Sequence, residues 1–210
     1  LLSVLFFPIE AGVPLLPMES VQLLWINLVA TVALALPLAF EVGEPDAMRR
    51  APRPPDAPIL SRFVLIRTAV VASLITAGAI GLFLWEFYVD TDHDLTRSAA
   101  LAQAQTMSVT TVILFQILYL LNCRSLHDSV FTIGLWSNPA VYVGIAGILV
   151  LQFGFVYLPV MNTVFSSAPL PLTAWAEAAA VALVVLPVIS IEKRLRRRAA
   201  TRGASPHDRR

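Results

Sequence analysis

Residues 23–40 read LLWINLVATVALALPLAF. The run is apolar enough to cross a bilayer, which takes roughly 20 residues of helix, yet it carries Asn27, Thr31 and Pro37. On a helix Asn27 and Thr31 stand at i and i+4, so their side chains share one face, one turn apart. Polar groups at that depth seek partners, because lipid offers none. Pro37 has no N–H to donate, which leaves the carbonyl of Ala33 without its usual intrahelical partner and open to another donor or ion. The stretch reads as a membrane helix with a polar face above a bent or loosened turn.

The rest of the chain agrees with a membrane setting. Of 210 residues, 57% are hydrophobic and 14% charged, against about 25% charged in an ordinary soluble domain. Apolar runs at about 20–40, 62–88, 101–122, 139–158 and 172–192 predict five spans. Residues 1–7, LLSVLFF, are too short to cross, and lack the basic start and cleavage site of a signal peptide. They are expected to be the end of a truncated helix, and the sequence a fragment. The predicted fold is an all-α polytopic transmembrane bundle, with a stub at 1–7, five spans within 8–192 and a basic tail at 193–210. A lone Cys123 excludes a disulfide within the chain and a Cys-rich metal site.

Alternating the sides groups 41–61, 123–138 and the tail, and these hold Arg49, Arg50, Arg53, Arg124, Lys193 and most of the remaining Lys/Arg. The opposite connections hold only Arg97. Lys/Arg excess marks the cytoplasmic side, so the C-terminus is expected inside, with the bilayer as first partner and the basic tail serving orientation or anionic lipid. In the outer loop DTDHDLTR, His93 and its acidic neighbours read as solvated rather than as a metal site, and His127 and His207 have no ligand spacing around them. Trp25, Trp85, Tyr88, Trp136 and Trp175 read as belt residues at span ends. Gly78 with Gly81, and Gly144 with Gly147, read as places where helix backbones approach closely. The Pro-rich EPDAMRRAPRPPDAP predicts an extended, stiff connection.

No phosphate-cradling Gly loop, HExxH pair, nucleophile elbow or Asp-Lys-Thr-Gly sequence is present, so the chain alone is expected to catalyse nothing. What remains is oxygen inside the membrane: Asn27, Thr31 and, near the middle of the third span, Gln116, with Ser108, Thr110 and Thr111 in the turns before it. Such groups suit a hard cation; equally, they join helices in membrane bundles at about 1 kcal/mol per contact. Glu86, Glu177 and Glu192 lie near helix ends, and Arg67 has the length to snorkel.

The stretch QLLWINLVATVALALPLAFEVGEPDAMRRAPRPPDAPIL resembles the sixth transmembrane helix and following loop of P-type cation-transporting ATPases, of the calcium-pump and related bacterial branches. Trp25, Asn27 and Leu28 match the helix pattern; Pro45, Asp46, Met48, Arg50, Pro52 and Arg53 match the loop. TMSVTTVILFQILYLLNCRSL is similar to the family's eighth helix, and LPVISIEKRLRR to the end of the tenth. The resemblance implies a pump that phosphorylates an Asp in a cytoplasmic domain and moves cations between its fourth, fifth, sixth and eighth helices. ATP and Mg2+ would belong to phosphorylation, nucleotide-binding and actuator domains absent from this chain, which would be the chain's partners, and nothing points to nucleic acid. The loop 41–61 would dock beneath the phosphorylation domain. By the resemblance Asn27 is an ion ligand by identity, and Thr31 and Gln116 by position. Calcium pumps follow the Asn with Thr and Asp where this chain has Ala30 and Thr31, and some carry Glu at the position of Gln116. Losing that Asp removes a strong oxygen ligand and a negative charge, which leaves open a monovalent cation, a proton-coupled variant or carboxylates supplied by other helices. A bacterial plasma membrane is expected. The competing expectation is a non-enzymatic scaffold or passive carrier bundle.

Overall fold

The computed structural model describes residues 9–10, 13–40, 62–90, 95–123 and 138–191. The expected stub at 1–7, the docking loop 41–61, His93, His127 and the basic tail lie outside the described residues. A two-residue pairing comes first, β1 (Ile9–Glu10) antiparallel to β2 (Val13–Pro14). Everything after it is helical or connecting: α1 (Ser20–Ala30), a π-helical stretch (Thr31–Ala35), α2 (Leu36–Leu38), α3 (Arg62–Trp85) with a π turn at Glu86–Asp90, α4 (Arg97–Cys123), α5 (Pro139–Tyr157), α6 (Pro159–Phe165) and α7 (Leu172–Leu183). After a turn at Val184 the last helix runs on to 191.

Four helices are long and apolar enough to span a membrane: Val64–Val89, Arg97–Leu121, Pro139–Tyr157 and Leu172–Ile191. These match the predicted runs at 62–88, 101–122, 139–158 and 172–192. The expected fifth, at 20–40, is a shorter apolar helix, Ser20–Ala35, because the α-helical register gives way to the π stretch ahead of Pro37. Only four spans are therefore long enough by helix length.

The bundle is built around α4. Of its apolar window 72% is buried, against 22–28% for the other three, although it is the helix richest in Ser, Thr and Gln. Burial is tolerated because its hydroxyls return to their own helix: Thr106 to the Ala102 carbonyl (2.7 Å), Thr110 to Thr106 and Thr111 to Met107 (both 2.8 Å). A larger apolar core joins Trp25, Ile26 and Val29 to Met107, Ile113, Ile148 and Phe155. A second joins Val71, Phe115, Ala182, Val185 and Ile189. On α7, Ala174, Ala178 and Ala182 form a fully buried stripe at i, i+4 spacing that lets the helix lie close to its neighbour.

Local chemistry sets the helix ends. Asn138 caps α5, its Oδ1 accepting from the Ala140 amide at 3.0 Å with Pro139 in the first turn. Leu158 is extended, as a residue before proline prefers, and Pro159 opens α6. Gln22 reaches back to accept from the Glu19 amide at 3.1 Å, closing the start of α1.

Three sequence readings change in space. Trp25 is not a belt residue: it is buried, stacked on Phe155 with centroids 5.3 Å apart and tilted against Phe165 at 5.2 Å. Trp85 and Tyr88 are exposed, as belt residues should be. Arg67 does not snorkel but is buried, its guanidinium 5.8 Å from the centroid of the Tyr119 ring. Of each glycine pair only one member makes the close approach. A Cβ on Gly78 would meet the Phe115 ring, and one on Gly144 would collide with the Ala33 carbonyl oxygen, whereas Gly81 and Gly147 face open space.

Candidate functional site

The site is built on α1 and the wide turn that follows. α1 turns Gln22, Trp25, Ile26 and Val29 into the bundle. Asn27 is two residues past Trp25, about 200° further round the helix, and is exposed, among exposed Leu23, Leu24 and Leu28. Thr31 is the first residue of the π stretch. Such turns widen the backbone ladder and recur at functional sites. The expected loosening above Pro37 is thus a turn with one residue too many, and the Ala33 carbonyl within it points at Gly144 of α5. Pro37's own carbonyl accepts from Asn138 Nδ2 at 3.3 Å, which ties the lower end of this segment to the start of α5.

Gln116 is half-buried on α4, with its Oε1 shut off from solvent and without a hydrogen-bond partner. An unsatisfied amide oxygen in an apolar setting costs about 1–3 kcal/mol, so this atom is poised to receive a donor or a cation. Its depth relative to α1 follows from a cross-tie. Trp25 Nε1 donates to Gln152 Oε1 at 3.3 Å, and Gln152 Nε2 donates to Thr110 Oγ1 at 3.1 Å. Leu16, ahead of α1, accepts from Gln105 Nε2 at 2.9 Å, so α1 and α4 run in the same direction. Thr31 lies six residues beyond Trp25, and Gln116 six beyond Thr110. At 1.5 Å per residue both are about 9 Å past the tie, and the π stretch touches α4. The structure therefore brings the backbone of Thr31 and Gln116 to a common level, with Asn27 one turn nearer the tie on the outer face of α1.

The hydroxyls expected to converge with Asn27 are engaged elsewhere. Ser108 donates to the Ala79 carbonyl of α3 at 3.2 Å, Thr110 receives Gln152, and Thr111 bonds its own helix. Gln152 and Gln22 are the polar residues that the sequence reading passed over. Both are fully buried in otherwise apolar surroundings, a signal visible in the sequence as a single amide in the long apolar run of α5. Near the other end of α3, buried Glu86 accepts from Gln103 Nε2 at 2.8 Å. Among the described residues no three His, Cys, Asp or Glu side chains come together as a metal site, so the oxygen groups at this level are uncharged.

The family described as "Cation transporting ATPase, C-terminus" matches residues 15–195. The "Probable cation-transporting ATPase F" of Mycobacterium bovis is 36% identical over 194 residues, 92% of this chain and 20% of that protein. The "Cation-transporting ATPase pma1" of Synechocystis is 31% identical over 186 residues, 86% of this chain and 20% of that protein. The "Endoplasmic reticulum calcium ATPase srcA" of Aspergillus fumigatus is 27% identical over 222 aligned residues, 91% of this chain and 22% of that protein. The chain spans about a fifth of the length of these curated relatives.

Proposed function

The chain belongs to the family of cation-transporting ATPase C-terminal regions, and from that premise we propose that it is the C-terminal part of the transport domain of an ATP-driven cation pump. Asn27, Thr31 and Gln116 contribute uncharged oxygens to the ion path; the remaining ligands come from helices that precede this chain in the full-length protein. The observation that carries the reading is the outward face of α1: its inner face is filled by the bundle, while Asn27 stands exposed beside a widened turn. A helix that served only to join this bundle would place its amide on the inner face, as it does Gln22, whose Nε2 donates to the Phe165 carbonyl at 3.1 Å. The family match favours this reading over a passive carrier or scaffold.

The π stretch and α2 extend the first helix toward a fifth crossing, and the Lys/Arg-rich connections lie in the cytoplasm with the C-terminus, in a bacterial plasma membrane. ATP and Mg2+ act in the preceding cytoplasmic domains, which are this chain's partners along with the bilayer. The cation is not assigned from the calcium-named relative, because Ala30 and Thr31 supply no carboxylate here. An ion screen of ATPase activity on the full-length protein tests the proposal: stimulation by one cation over others supports it. Activity indifferent to every cation, or no ATPase activity, contradicts it.

A further inference from the structure

The cross-tie beside the ion path has a chemical direction. An indole N–H only donates, so Gln152 must turn its oxygen to Trp25, which leaves its NH2 for Thr110. The Thr110 hydroxyl, having accepted, donates onward to the Thr106 carbonyl at 2.8 Å. The Thr106 hydroxyl in turn accepts from the Ala168 amide at 2.8 Å, so the tie reaches the connection between α6 and α7. Gln152 is fully buried and both ends of its amide are used. Phe155 and Phe165 hold the Trp25 ring from two sides. The contact grips α1 away from its axis, two residues before Asn27 and six before the π stretch begins, and so fixes the rotation of the rigid half of this helix.

We propose that Gln152 is a positioning residue for cation binding: through Trp25 it sets the rotation of α1 and thereby the direction in which Asn27 is presented. The role rests on the reading of Asn27 as part of the ion path. It differs from that of a bond that merely joins helices, which contributes to stability and leaves cation affinity alone.

The test uses the full-length protein, with half-saturating cation concentration, maximal ATPase rate and melting temperature measured in parallel. Gln152→Leu, Trp25→Phe and Thr110→Val each raise the half-saturating concentration about fivefold, the equilibrium equivalent of one interhelical hydrogen bond, with little change in maximal rate. Combining Gln152→Leu with Trp25→Phe adds nothing beyond the larger single effect, since both cut the same tie. Thr110→Ser, which keeps the hydroxyl, restores the parent affinity. Tyr157→Phe removes a bond of similar kind, to the Leu170 carbonyl at 2.8 Å, and lowers the melting temperature without moving the affinity. If Gln152→Leu does not fold, Trp25→Phe and Thr110→Val carry the same comparison. Unchanged affinities, or shifts that add in the double variant, overturn the positioning role while a cation-dependent parent keeps the pump reading intact. A parent with no cation dependence overturns both.

Discussion

The two faces of α1 differ in what they touch, although they share one helix of eleven residues. On the inner face Gln22 and Trp25 are buried and every side-chain polar hydrogen-bonding contact crosses to another element: Gln22 to Phe165, Trp25 to Gln152. On the outer face Asn27 is exposed among leucines. Polar groups on the inner face are therefore explained by the packing of this chain, and the one on the outer face is not. Function is to be sought where packing leaves a polar group over.

Substitutions that attack the inner face should cost the most. Trp25→Ala removes a ring packed on two phenylalanines and orphans the oxygen of Gln152, and is expected to destabilise the membrane bundle by about 3–5 kcal/mol, read by calorimetric melting of the full-length protein in detergent. Gly144→Ala comes next. Its Cβ would collide with backbone, the Ala33 carbonyl, which cannot rotate aside, and the expected cost is about 1–3 kcal/mol. Gly81→Ala faces open space and should instead stabilise by up to about 1 kcal/mol through helix propensity. Equal melting temperatures for the two alanine variants would break the account of which glycine makes the contact. Thr110→Val cuts one end of the cross-tie and should cost about 1 kcal/mol. Asn27→Ala on the outer face should leave the melt within about 0.5 kcal/mol of the parent.

Much of this was legible beforehand, and the exceptions have physical reasons. The four long helices follow from hydropathy, because a bilayer sets one length for all of them. α4 begins at Arg97, earlier than the run at 101–122, since its first turns (RSAALAQ) are too polar to register as a span yet helical by propensity. Pro37 announced the widened turn at Thr31–Ala35, because a missing N–H must disturb the ladder one turn back. The short α6, Pro159–Phe165, went unread inside a connection: seven residues carry too little periodicity to stand out.

The candidate site was legible only as residue types. That Asn27 faces outward depends on where Trp25 packs, and Trp25 packs on Phe155, Phe165 and Gln152, more than a hundred residues away. Arg67 was misjudged for the same reason: its cover, Tyr119, is on another helix. Spacing identifies which residues share a face, and long-range contacts decide which way that face looks.

The most direct test of the central claim is equilibrium cation binding to the purified full-length protein, compared with its Asn27→Ala variant. The account predicts binding weakened about tenfold or more, equivalent to about 1.4 kcal/mol, with an unchanged melting temperature. Superimposable binding isotherms would show that the outer face of α1 takes no part in holding the ion.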